Sequence, residues 1–400
     1  MGFMAADESV DNRTSGAAPT RPGPLPDISG PVDVSLGGGD VPQEEGNGPE
    51  PPDELDSGTY LFPGTVAARG QVTASGGMVA WVERTASQST PVLVVWDVLT
   101  GLEPVELRVP NLVNPTQLVL SESWLVYVDD RYGDPDLFAI NLETGLEEAV
   151  VTAVGAQVEA TILGDSVAWR DCRGCVDGGD GAAEIYRLEL GSGALAKRVT
   201  TSDVDDRAPS LGMLADGTEV LAWVEGERRL RVQGLDVEQS WEVGAFVSTI
   251  DIAAGLITWR EATGIINPDS MKPLIINPDS MMPVGIINPD SMIPSDVYGT
   301  AVATGETHAI SVHAELSPEL LGRVHAAGAQ VAWVEANTAA GEGSLLRVAD
   351  AATGKVVETI DEPGLWSPSL STEVVTFIAP RSGNADLDDV WVLPLSPSVP

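Results

Sequence analysis

From residue 59 onward, short apolar or alternating runs are closed again and again by Gly, Pro, Asn and Asp, a texture that predicts strands separated by tight turns. One run recurs with an aromatic near its end: Val79-Ala80-Trp81-Val82-Glu83, Leu125-Val126-Tyr127-Val128-Asp129, Val167-Ala168-Trp169-Arg170-Asp171 and Leu221-Ala222-Trp223-Val224-Glu225. The series continues through Leu256-Ile257-Thr258-Trp259-Arg260-Glu261, Val331-Ala332-Trp333-Val334-Glu335 and Val375-Thr376-Phe377-Ile378, which makes seven copies. Most copies are followed by a polar loop and a second strand that closes on Thr-Gly or Ser-Gly, as in Leu137 to Gly145 and Leu345 to Gly354. The aromatics lie 46, 42, 54, 36, 74 and 44 residues apart. Units of this size, holding about four short strands each, predict the blades of a β-propeller.

The expected fold is therefore all-β, a seven-bladed propeller over residues 59–396, with a six-bladed ring and a degenerate extra strand pair as the alternative. The last unit stops before a fourth strand, and Thr59-Tyr60-Leu61-Phe62 stands as far before Trp81 as Lys355 to Glu358 stand before Phe377. Residues 59–62 are thus expected to supply the outer strand of the last blade and remove an open edge. The strand-borne Trp81, Trp169, Trp223, Trp259 and Trp333 are expected in the core.

Two units carry more than the aromatic strand. Asp129-Asp130-Arg131-Tyr132-Gly133-Asp134-Pro135-Asp136-Leu137-Phe138, with Asn141-Leu142-Glu143-Thr144-Gly145 after it, resembles the repeat of TolB-type (WD40-like) propellers, as does Arg381-Ser382-Gly383-Asn384-Ala385-Asp386-Leu387. The resemblance implies the propeller fold and a binding or scaffolding surface without naming a ligand.

Composition changes the picture at the amino-terminal side. Residues 1–58 hold nine Pro, ten Gly, twelve acidic and two basic residues, and predict a disordered acidic linker. The whole chain of 400 residues has 60 Asp and Glu against 21 Lys and Arg, a formal charge of −39, which argues against nucleic acid as a partner. No apolar run is long enough for a transmembrane segment. The start, MGFMAADES, lacks the regions of a signal peptide, which leaves a cytoplasmic protein or one whose export signal has been removed. A periplasmic, extracellular or cell-surface location is expected from the chemistry that follows.

The aromatic spacing of 74 contains an insertion, residues 264–294, with three near-identical copies of Ile-Ile-Asn-Pro-Asp-Ser-Met. Each reads as an apolar pair, a turn and a Met. Ile265, Ile266, Asp269, Met271, Ile275, Ile276, Asp279, Met281, Ile286, Ile287, Asp290 and Met292 are the candidate binding residues, for a protein partner or for self-association. A tolerated duplication of coding DNA is the competing reading.

Cys172 and Cys175 are a candidate disulfide pinning a long hairpin, because no second Cys pair or nearby His completes a metal site. A disulfide there implies an oxidising compartment. The acidic loops, including Asp129, Asp130, Asp134, Asp136, Asp203, Asp205, Asp206, Asp386, Asp388 and Asp389, carry oxygens of the kind Ca²⁺ takes, but their place in the repeat favours hairpin hydrogen bonds, so no cofactor is expected. Neither a nucleophile elbow, a phosphate loop nor a zinc-protease motif is present. A non-catalytic module is expected, with a carboxylate-based glycan-active enzyme as the remaining alternative.

Overall fold

The computed structural model describes residues 32–33, 35–36, 53–54, 60–62 and, between 71 and 395, all but 84–89, 101, 176–180, 215, 227–228, 235–237, 243–246, 263–294, 303, 305, 312–319, 338–342, 363 and 382–383. Among the described residues every regular element is a strand, and the strands form seven antiparallel sheets. The first strand of each sheet lies against the first strand of the next, and that of the seventh returns to that of the first, so the sheets are the seven blades of a closed ring. The six-bladed alternative falls away.

Blade two shows the pattern: Thr116–Leu120 innermost, then Trp124–Asp129, Asp136–Asn141 and Leu146–Val151 outward. Its outer turn is set by sequence. Asn141 Oδ1 accepts from the Thr144 N–H at 2.9 Å, and Gly145 takes the left-handed backbone (φ 69°) that the turn needs. Asp350, Thr353 and Gly354 repeat the device in blade six, with 2.8 Å from Thr353 N to Asp350 Oδ1.

In blade seven the strands are Trp366–Leu370, Val374–Arg381 and Asn384–Pro394, and the fourth comes from the other end of the chain. Tyr60–Phe62 pairs antiparallel with the third strand, Leu61 opposite Trp391. Three two-residue strands extend outer edges: Asp53–Glu54 beside Tyr60–Phe62, Val32–Asp33 on blade two and Ser35–Leu36 on blade one. They are the only described residues within 1–58; the rest of the expected linker lies outside the described residues.

The described core is seven clusters, one at each blade interface, because each sheet buries both faces against its neighbours. Trp81, Trp169, Trp223, Trp259 and Trp333 are all buried within them. Trp169 stacks on Tyr186, and Trp259 on Tyr298, from the third strand of the same blade.

Candidate functional site

In a blade with four antiparallel strands, the end where the first strand begins is also the end where the second strand finishes. The links between blades and the loops between second and third strands therefore share one face, the mouth of the ring. That face carries the two strand ends that flank the insertion, the cysteine loop and most of the acidic loops.

The insertion leaves blade five at Leu256–Ala262 and rejoins it at Ser295–Ala301, with Ala262 opposite Ser295 in the ladder. The hairpin is complete on both sides of the insertion point. The candidate residues Ile265, Ile266, Asp269, Met271, Ile275, Ile276, Asp279, Met281, Ile286, Ile287, Asp290 and Met292 lie outside the described residues.

Cys172 and Cys175 are joined by a disulfide in the corresponding loop of blade three, their Cα atoms 5.0 Å apart. Cys172 N–H also donates to Ala156 O at 2.8 Å, tying this loop to the link from blade two. Gly155 makes that approach possible, since a Cβ there would meet Cys172 O at 2.6 Å.

The acidic residues that close the aromatic strands work as anchors. Asp129 accepts at Oδ1 from the Asn114 N–H (2.7 Å) and at Oδ2 from Arg131 Nε (2.5 Å). Arg131 also donates to the Tyr127 hydroxyl (2.8 Å), pairs with Glu147 at 3.1 Å, and lies 4.0 Å over the Phe138 ring. In blade three Asp171 receives Arg173 through two nitrogens, at 2.8 and 2.6 Å, and Trp169 Nε1 at 3.0 Å. Burial raises the Asp171 carboxyl pKa, but the hydrogen bonds from Arg173 and Trp169 outweigh it and hold the group below the usual carboxylate range. Glu225 with Arg229 and Arg231, and Glu335 with Arg347, repeat the arrangement. No group of three or more His, Cys, Asp or Glu that could hold a metal ion occurs among the described residues.

Nearer the channel, the first strands are bulged, and Gln117 and Glu159 take left-handed backbone at φ 51° and 56°. Each reaches the next blade. Gln117 Oε1 accepts from the Glu159 N–H, and Glu159 Oε2 accepts from the Ala208 N–H at 2.6 Å. Thr161 adds a second bond between blades three and four, and Gln71, Asp251 and Ser369 make similar bonds across other interfaces. These contacts staple blade to blade around the inner ring.

Between blades three and four, at the mouth, a cavity of about 500 Å³ is lined by Glu159, Arg170, Val204, Asp205, Arg207 and Gly226. Arg170 faces Glu159 and Asp205, each 3.9 Å away, beyond hydrogen-bonding distance. Five of the seven aromatic strands carry Val or Ile at the position of Arg170, namely Val82, Val128, Val224, Val334 and Ile378; Arg260 is the other exception. That break in the repeat is legible in sequence, and only Asp205 of this cavity was a candidate from the acidic loops. The lining combines two carboxylates, Glu159 and Asp205, with two guanidinium groups, Arg170 and Arg207, so the cavity offers charge for binding.

No protein-family model and no curated protein matches the chain. Solved structures do. TolB from Acinetobacter baumannii is similar over 73% of this chain and 66% of its own, at 16% identity and a TM-score of 0.44. The tricorn protease matches 84% of this chain and 36% of its own, at 14% identity and 0.51. A Mycobacterium tuberculosis puromycin-hydrolyzing peptidase matches 84% and 51%, at 13% identity and 0.53. The likeness is one of fold. This chain thus spans about a third to two thirds of those proteins, and the likeness to the last two is that of the propeller ring. Among the described residues no helix is long and apolar enough to cross a membrane.

Proposed function

We propose that this propeller is a non-catalytic binding or scaffold module at the cell envelope, which takes a protein partner at its mouth through the thrice-repeated Ile-Ile-Asn-Pro-Asp-Ser-Met loop. The observation that carries the reading is the insertion point. Ala262 and Ser295 are paired at the top of a finished hairpin, so the blade does not need the loop to fold. Three apolar copies in a chain of net charge −39 are a costly thing to leave in water, and repetition raises avidity for a partner that is itself repeated. The Cys172–Cys175 disulfide favours an oxidising compartment such as the periplasm or the cell exterior.

Excision of residues 265–294 tests this. The shortened protein is expected to keep its thermal transition and lose its protein partners in a pull-down. Unchanged partners would overturn the reading. The threefold repeat also favours a second reading, self-association through the loop. Sedimentation of intact and shortened protein over a range of concentrations separates the two, since only self-association makes the intact chain's mass rise with concentration and the shortened chain's mass constant.

A further inference from the structure

We infer that the cavity between blades three and four is a binding subsite for a carboxylate group. The fold does not require an arginine where Arg170 stands, since most units fill that position with Val or Ile at an apolar interface. The Arg170 side chain nevertheless makes no hydrogen bond among the described residues. Its Nε is buried without an acceptor, and its contacts are the two carboxylates at 3.9 Å. The terminal nitrogens, which line the cavity with no acceptor within hydrogen-bonding distance, are therefore open to a ligand.

Each neighbouring acid is tethered through one oxygen, and the other, Glu159 Oε1 or Asp205 Oδ2, stands 3.9 Å from Arg170. Glu159 Oε2 accepts from Ala208 N–H at 2.6 Å, and Asp205 Oδ1 accepts from Ala183 N–H at 2.8 Å. Both line the cavity, outside hydrogen-bonding distance of the guanidinium. The Arg170 side chain is 25% exposed, so a ligand can reach its terminal nitrogens. Arg207 lines the same cavity from blade four and adds a second positive charge.

A planar guanidinium fork matches a carboxylate through two parallel N–H···O bonds. The walls select charge as well as shape. Two carboxylates beside the site, in a protein of charge −39, repel a doubly charged phosphate more than a singly charged carboxylate. The shared chemistry fits either a small free organic acid or the carboxyl end of a polypeptide.

None of the lining residues belongs to the inserted loop, so the two readings are tested by different variants and fail independently. Amide chemical shifts of Asp205, Arg207 and Gly226 in the full chain can be followed while acetate, N-acetyl-triglycine, its carboxamide or inorganic phosphate is added. Saturable shifts are expected with N-acetyl-triglycine and not with the carboxamide, with phosphate weaker, and with the same affinity in protein lacking residues 265–294. Acetate binding as well as the tripeptide identifies a small acid; a clear advantage for the tripeptide identifies a polypeptide terminus. Arg170→Gln is expected to weaken binding at least tenfold, and Arg170→Lys, which keeps the charge without the fork, to weaken it less. Arg207→Gln provides a second loss should the first variant not fold. No saturable shift with either carboxylate, tighter binding of phosphate, or undiminished affinity in both Gln variants would overturn the inference.

Discussion

Arg131 in blade two and Arg170 in blade three sit on the same face of neighbouring blades and do opposite things. Arg131 is 5% exposed, bonds to Asp129 and Tyr127, pairs with Glu147 and covers the Phe138 ring. Burial works against its charge, but Tyr127, Glu147 and Asp129 together hold it firmly protonated. Arg170 is 25% exposed and approaches its carboxylates no closer than 3.9 Å. Charges of the same kind thus serve architecture where every hydrogen bond is satisfied. Where the bonds are left open, the charge is available to something outside the chain.

Breaking the first arginine is expected to cost the most. Arg131→Met leaves Asp129 and Glu147 buried without their cation, a loss of about 3 to 5 kcal/mol in urea unfolding. A variant within 1 kcal/mol of the parent would show that the network contributes little.

Asp136 sharpens the contrast inside blade two. It faces Asp129 across the ladder, its Oδ1 is buried without a hydrogen bond, and burial together with Asp134 raises its pKa from 3.8 to about 7, in spite of Arg131. The folded state binds this proton more tightly than the unfolded chain does. Its contribution is therefore most favourable below about pH 4 and is lost as pH rises towards 7. Asp136→Asn removes the loss, so the variant is expected to gain on the parent between pH 4 and 8, by up to about 4 kcal/mol at the upper end. Melting both proteins across that range checks it, and parallel curves would refute it.

The smallest effect belongs to the loose arginine. Arg170→Gln gives up two long, solvent-screened ion pairs and is expected to change stability by about 0.5 kcal/mol or less. A loss as large as that of Arg131→Met would make Arg170 architectural and erase the distinction between the two sites.

Much of this molecule can be read from its residues. The aromatic strand repeats in sequence because each blade needs bulk at the same point of its interface, and Trp81, Trp169, Trp223, Trp259 and Trp333 are buried there. The acid that follows most of the aromatics is an anchor for a nearby arginine, local in sequence and so visible in it, as with Asp171 and Arg173. Arg170 was equally visible as a departure from the repeat. Its meaning was not, because Glu159, Asp205 and Arg207 come to it from a bulged strand, an interblade link and the next blade.

Sequence by itself determined the period, the strand content, the inward aromatics and the turn chemistry, all consequences of contacts between residues near one another in the chain. The tertiary structure decided the number of blades and the contents of each interface. Those depend on how seven sheets with similar apolar faces pack in a circle, and a charge placed where two blades meet is satisfied or left open only by what the neighbouring blade brings to it.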